Sequence, residues 1–366
     1  MKVTCPHMGN MYLSIKGMLE YLGVEVIVPP ACSKKTIDLG SKHSPEFACL
    51  PLKLNIGNFL EAKELGADTI LMAGGCGPCR FGYYAYVEHE ILRDLRVDFD
   101  LVVMEPPEKH IGELLARIRK ITGNRPWIQV VKAIKFGFQI AKAADEIERM
   151  SYKIRPREIR NGDTDRAMKS AIRELEGAKT PDELPGALGR AKEIMSAVPA
   201  DMNKKAIKVA LIGEIYTLLE PFANANIERN LGKMGVEVDR SIMLSEWIND
   251  HLFKGLLKGM PSSERFKKVA SPYLNYFVGG HGQETVGSAV WYHRQGFDGA
   301  IQVLPFTCMP EIVAQSILPK IAEDTGLPIM TLIMDEHSGE AGIITRLEAF
   351  IDLLQRKSEQ KEALTS

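Results

Sequence analysis

Two thiols stand three residues apart in Gly74-Gly75-Cys76-Gly77-Pro78-Cys79-Arg80, on a glycine-rich loop that directly follows the apolar run Thr69-Ile-Leu-Met72. Cysteines at that spacing on a loop leaving a strand can converge on one redox or metal centre, with the backbone N–H groups of Gly74, Gly75, Gly77 and Arg80 exposed to it. A thioredoxin-like dithiol, a structural zinc and an iron–sulfur cluster all use such a loop. A thioredoxin-like protein would be one small domain needing no other cysteine, and a closed zinc site would want a second pair at short spacing. The chain has six cysteines, and Cys5, Cys32, Cys49 and Cys308 are single and widely spread. That dispersal suits a cluster held at a crevice by several loops. The plainer alternative is a set of unreactive core thiols, since cysteine packs as a small hydrophobe.

The elements that must position these residues alternate short β-branched runs with amphipathic stretches, the mark of a parallel α/β sheet. Strands are expected at 2–4, 24–28, 69–72 and 101–104, with helices at 12–22, 52–65 and 83–95 between them. Pro29-Pro30 and Pro106-Pro107 end strands on the side where ligands gather in open α/β sheets. Residues 1–109 thus read as a first α/β lobe carrying the cysteine loops. Residues 110–205 read as a helical insert or connector whose charge runs are solvated helix faces. Residues 206–366 read as a second α/β lobe carrying Cys308.

The second lobe echoes the first. Leu22-Gly-Val-Glu-Val26 returns as Met234-Gly-Val-Glu-Val238, and Gly66-Ala-Asp68 returns as Gly296-Phe-Asp298. Cys76-Gly-Pro78 and Cys308-Met-Pro310 are both Cys-x-Pro at an expected strand end. If two such lobes, each with a parallel sheet, face each other across a cleft, Cys308 can meet Cys76 and Cys79. Cys49 precedes the helix leading into the Cys76 strand, Cys32 follows Pro29-Pro30, and Cys5 ends the first strand. Every cysteine lies at or just beyond a strand end or helix start, a placement that favours a cluster over scattered core thiols.

With 366 residues, two to three domains are expected. The net charge of −1 and dispersed basic residues give no footprint for nucleic acid. No apolar stretch approaches the roughly 20 residues that span a bilayer, and the N-terminus lacks a signal-peptide layout, so a cytoplasmic protein without a membrane partner is expected. In a reducing compartment metal, redox or packing roles suit the cysteines better than disulfides.

Six segments carry a family resemblance: Pro6-His-Met-Gly9, Ser44-Pro-Glu-Phe-Ala-Cys-Leu-Pro-Leu-Lys53, Gly74-Gly-Cys-Gly-Pro-Cys-Arg-Phe-Gly82, His281-Gly-Gln-Glu-Thr285, Pro305-Phe-Thr-Cys-Met-Pro-Glu311 and Asp335-Glu-His-Ser-Gly-Glu340. Together they resemble the 2-hydroxyacyl-CoA dehydratase-related proteins, specifically the acyl-CoA dehydratase activase-related branch, often found fused to or beside an ATP-dependent activase. The resemblance runs from the N-terminus to about Asp352 and is weak across the helical middle. It implies two Rossmann-like lobes with a [4Fe–4S] cluster between them. By motif its ligands are Cys49, Cys79 and Cys308, leaving one iron open to water, sulfide or substrate. Related sequences need not carry cysteine at the Cys76 position, and Cys5 and Cys32 are extras relative to the motifs. The same superfamily includes double-cubane [8Fe–9S] proteins with six cysteine ligands, and this chain has six cysteines.

The chemistry implied is delivery of a low-potential electron by a separate ATP-dependent activase carrying its own cluster, for reduction or dehydration of a small acyl-CoA-like substrate. An open iron also implies oxygen sensitivity. The partner is expected to be another chain, because no Gly-x-x-x-x-Gly-Lys-Ser/Thr loop is present. The resemblance further implies pairing with a related larger subunit or a second copy. The alternatives are a double-cubane reductase, or a non-catalytic carrier or scaffold binding a cluster or zinc.

Several polar residues fall at the expected site edge. His281 and Glu284 are candidates for proton transfer or a hydrogen bond to the cluster, or else for bracing a loop and a helix start. Glu214, Glu336, His337 and Glu340 also sit at strand ends, where Asp335-Glu-His-Ser-Gly reads alternatively as a self-bonded turn and Glu340 as a helix cap. His7 beside Cys5 reads as structural. Arg80 is expected to raise the potential of a negatively charged cluster, or to pair with Glu88 or Glu90.

Overall fold

The computed structural model describes residues 1–75, 79–105, 111–251 and 262–365. Contacts divide the chain into two compact units, one of residues 1–144 and 173–189, the other of residues 145–172 and 190–366. The helical stretch is therefore shared between the units.

The first unit begins β1 (Lys2–Thr4), α1 (Met11–Tyr21), β2 (Glu25–Val26), α2 (Lys34–His43), α3 (Leu50–Glu64), β3 (Thr69–Ala73), α4 (Phe81–Asp94), β4 (Asp100–Met104) and α5 (Ile111–Thr122). Its strands form a wholly parallel sheet in the order β2-β1-β3-β4. The two-residue side-chain period divides β3 and β4 cleanly. Ile70, Met72 and Val103 pack with Leu52, Ile56, Phe59 and Tyr84 on one face, while Leu71 and Val102 pack with Leu19 and Ile121 on the other. A parallel sheet covered on both faces follows. Helix α3 is buried nearly all round from Leu50 to Phe59, its polar Lys53, Asn55 and Asn58 included.

Next come α6 (Trp127–Ile154), α7 (Asp163–Gly177) and α8 (Leu184–Ser196). The second unit then continues β5 (Ile207–Gly213), α9 (Ile215–Leu219), α10 (Ile227–Lys233), β6 (Val236–Arg240), α11 (Leu244–His251), α12 (Glu264–Ala270), α13 (Gly282–Arg294), β7 (Gly299–Pro305), α14 (Met309–Thr325), β8 (Ile329–Met334) and α15 (Glu340–Thr365). Its sheet, also parallel, has the order β6-β5-β7-β8. Both units therefore carry the same Rossmann-like winding. In each, the chain leaves the first strand in one direction and returns across it to the third. The loops after those two strands diverge, and that switch point is where open α/β sheets hold ligands.

The sequence echo has an atomic basis. Asp68 accepts a hydrogen bond from Lys2 N at 2.7 Å, and Asp298 accepts one from Lys208 N at 2.8 Å, so the same aspartate ties the third strand to the first in both units. Gly23 and Gly235 both close a helix with left-handed φ, +76° and +82°. Expected and observed elements differ mainly at β2, which pairs only through Glu25 and Val26 before Pro29-Pro30 removes the donors a longer ladder needs. Helix α2 was not expected either; its Ser33–Thr36 capping box starts a short helix with few apolar residues.

One buried charge network fastens the second unit. Arg240, 3% exposed, donates to Glu148 at 2.6 Å and Glu228 at 2.9 Å, joining β6 to α6 and α10. Arg240→Met would strand both carboxylates, and breaking a buried pair in this way costs about 3–5 kcal/mol. Urea denaturation is expected to show a loss of that size, and a loss under about 1 kcal/mol would contradict the assignment.

Candidate functional site

In the first unit Cys49 is the N-cap of α3, with Pro51 just inside the helix, where its missing N–H costs nothing. Its Sγ lies 2.6 Å from the Tyr84 hydroxyl on α4. Burial, then the neighbouring Cys49, pushes the Tyr84 pKa up, so the hydroxyl keeps its proton, and either atom can donate across the contact. The Arg80 guanidinium, next to Cys79, donates to Phe47 O at 3.1 Å. A Cβ at Gly82 would collide with Gly75 O, so glycine lets the loop fold down on the first turn of α4. These contacts tie the loop of Cys79 to the loop of Cys49. Lys53, 2% exposed, donates to Glu46 O at 3.1 Å and so lays an ammonium against the segment presenting Cys49. That charge and the helix N-terminus both favour a thiolate there.

The remaining first-unit residues divide differently. Cys5 is 1% exposed, and burial pushes its thiol up to about 12, the state of an inert core cysteine. Cys32 exchanges hydrogen bonds with the buried Asn58 amide, at 3.7 Å to Oδ1 and 3.6 Å from Nδ2. Asn58 also accepts from His7 N at 3.0 Å, and His7 Nε2 bonds Pro29 O at 2.7 Å, so His7 is structural. Gly74 donates its N–H to Met104 O at 2.9 Å, which spends it on the sheet. Glu88 accepts from Asn55 at 2.9 Å inside the core, and Glu90 pairs with Arg93. Cys76 and Gly77 lie outside the described residues.

The second unit repeats the arrangement with different residue types. Cys308 is the N-cap of α14, again followed by a proline inside the helix. Thr307 before it has φ +69°, and a β-branched residue there carries strain on the order of 1–2 kcal/mol. Such strain persists where the surroundings fix the backbone, here at the residue that aims Cys308. His281 is the N-cap of α13 and makes no side-chain cap bond. A Cβ at Gly282 would collide with Pro310 O, so the first turns of α13 and α14 meet backbone to backbone. Thr285 reinforces that contact by donating to Glu311 at 2.9 Å.

Burial pushes His281 down to about 3, with His251 and Lys267 acting in the same direction, so its ring is neutral. Its Nε2 is buried with no hydrogen-bond partner among the described residues, and Glu284 Oε2 is in the same condition. Glu284 is 4% exposed, and burial raises its pKa against the pull of Lys267, whose ammonium is 3.5 Å away. Glu214 is a helix cap: its carboxylate accepts from Tyr216 N at 3.0 Å and Thr217 N at 2.9 Å. Asp335 accepts from His337 N at 3.0 Å and Ser338 Oγ at 2.8 Å, a self-bonded turn beside half-buried Glu336. Glu340 opens α15.

Sequence reasoning missed Tyr84, Asn58 and Glu311. Only Glu311 had a signal, as an acid three residues after Cys308. Fully buried, it accepts from Gln302 Nε2 at 2.9 Å, and burial raises its pKa to about 8. Among the described residues no group of three or more His, Cys, Asp or Glu side chains is placed to hold a metal ion, and no helix is long and apolar enough to cross a membrane. No protein-family model matches the chain, and no curated protein matches it in sequence.

Glu311 generates a pH test. Its folded pKa lies above the ordinary 4.5, so the stability its protonated form provides is complete below pH 4.5 and is lost as pH rises towards 8. Across that window wild type should lose up to about 1.4 kcal/mol per pH unit relative to Glu311→Gln. Denaturation of both proteins between pH 5 and 8 measures it, and parallel curves would contradict a buried protonated acid.

Proposed function

We propose that the chain is an iron–sulfur redox protein of the 2-hydroxyacyl-CoA dehydratase-related type. In this reading Cys49, Cys79 and Cys308 hold one [4Fe–4S] cluster, and an ATP-dependent activase with its own cluster supplies the electrons for a small acyl-CoA-like substrate. The observation that carries the reading is the tie between two cysteine loops at one sheet edge, made by Tyr84 on Cys49 and by Arg80 on Phe47. A bound cluster would supply one-electron reduction at low potential.

The chain's own residues suit that chemistry. Cys49 and Cys308 each cap a helix N-terminus, where exposed N–H groups favour the thiolate a metal needs. With Cys49 as a thiolate, Tyr84 would donate to its Sγ and temper its negative charge, while Arg80 adds a fixed positive charge beside Cys79. Cys5 is enclosed in the core at 1% exposure, so the proposal is a single four-iron centre and not an eight-iron centre with six cysteine ligands.

Iron and acid-labile sulfide are measured on protein purified without oxygen. About four irons per chain are expected, lost in Cys49→Ala, Cys79→Ala and Cys308→Ala and retained in Cys5→Ala. Zinc in place of iron, or iron that survives all three ligand substitutions, would sink the reading. Removing the hydrogen bond to sulfur with Tyr84→Phe should shift the cluster's reduction potential to a more negative value in a redox titration. An unchanged potential would show that Tyr84 does not act on the cluster.

A further inference from the structure

Strand β4 ends the first sheet, pairing only with β3, and a helix flanks it on each face. Helix α4 packs through Ala85 and Leu92 on one face of the sheet, and α5 packs through Ile121 on the other. Both helices run opposite to the strand. On α4, Tyr86 donates to Glu105 at 3.1 Å just past the end of β4, whereas His89 Nε2 bonds Phe99 O at 3.1 Å just before its start. On α5, Arg117 meets Glu105 at 2.8 Å and Lys120 meets Asp100 at 2.6 Å. We propose that two copies of this chain pair across the β4 edge about a two-fold axis parallel to the strands, so that the acidic groove on α4 of each copy receives the basic, apolar start of α6 of the other. The pairing does not depend on the cluster reading and stands or falls separately from it.

The two surfaces match in chemistry and in height along the strand. The outward face of α4 holds a groove of about 610 Å³ lined by Tyr83, Tyr86, Val87, Glu90, Ile91 and Asp94, with Tyr83 67% exposed. Its acids lie at the end of α4 nearest the start of β4. At that same end Arg119 lies over the Trp127 ring, 5.5 Å from its centroid, and so joins α5 to α6. From there Ile128 and Val131, 69% and 62% exposed, stand one turn apart among Lys132 and Lys135. Asp94, Arg119, Lys132 and Lys135 are exposed and make no ion pair among the described residues, and Glu90 holds only its i,i+3 neighbour Arg93, a surface pair of little worth. Exposed apolar surface rimmed by such charge marks an interaction site. A two-fold makes every contact twice, one patch on the other and the reverse. An axis parallel to the strands exchanges the two faces of the sheet and keeps height, so it sets α4 opposite the other copy's α5 and α6. An axis perpendicular to the sheet would instead set α4 on α4, acid against acid. Pairing here also covers an edge strand, of which Arg117 shields one carbonyl, Val103 O at 2.8 Å.

The test is sedimentation velocity on the full chain. A dimer is expected at micromolar concentration, and it should weaken as salt is raised because exposed charges are screened. Glu90→Lys with Asp94→Lys, and separately Lys132→Glu with Lys135→Glu, set like charges against each other, and each pair should raise the dimer dissociation constant about tenfold or more. All four substitutions in one chain exchange the two signs and should restore the dimer, with circular dichroism confirming that each variant is folded. A monomer for the unaltered chain overturns the inference, as does a dimer indifferent to salt or to both reversals. Reversals that weaken the dimer without rescue by the fourfold variant overturn the matching of α4 with α6. Iron content bears on none of these outcomes.

Discussion

Close backbone approach at the start of the helix that leaves the third strand of each sheet is the constraint from which the rest follows. Parallel winding sends the loops after the first and third strands to one edge, and the 2-1-3-4 order makes them diverge there. Side chains then gather only if the backbone around those helix starts approaches closely. Glycine permits that between α13 and α14 at Gly282 against Pro310, and between α4 and the loop leaving β3 at Gly82 against Gly75. A methyl group at either point would push a helix start outward and move the residue capping it.

The same solution built twice explains why the two units share features that their sequences half conceal. Each ties its third strand to its first with an aspartate on a backbone N–H. Each buries a carboxyl between the helices around that strand, Glu88 with Asn55 and Glu311 with Thr285 and Gln302. Burial raises both carboxyls, so the acids hold their protons and bond as neutral groups. What differs is the chemistry at the edge. The first unit pairs a cysteine with a tyrosine hydroxyl, whereas the second sets a cysteine beside a neutral histidine.

Much of this was legible from residues alone, and the exceptions have physical reasons. The paired Gly-x-Asp segments revealed the duplication because a backbone N–H fixes where the aspartate must stand. The α/β alternation and the position of Cys49 just before a helix followed from periodicity. The contact between Cys49 and Tyr84 was hidden because it joins residues 35 positions apart and needs α3 and α4 packed in one register. Glu214 looked like a site residue because it ends a strand, yet its carboxylate is consumed by the turn that follows. The strain at Thr307 is a property of tertiary packing and leaves no trace in local sequence.

The proposed four-iron centre, with a single iron set apart from the other three, is open to Mössbauer spectroscopy of protein loaded with 57Fe and kept from oxygen. Four irons of cluster type are expected, one of them distinct in isomer shift from its three cysteine-bound neighbours. Four indistinguishable irons, or eight in two linked cubes, would contradict it, as would a preparation in which iron fails to bind.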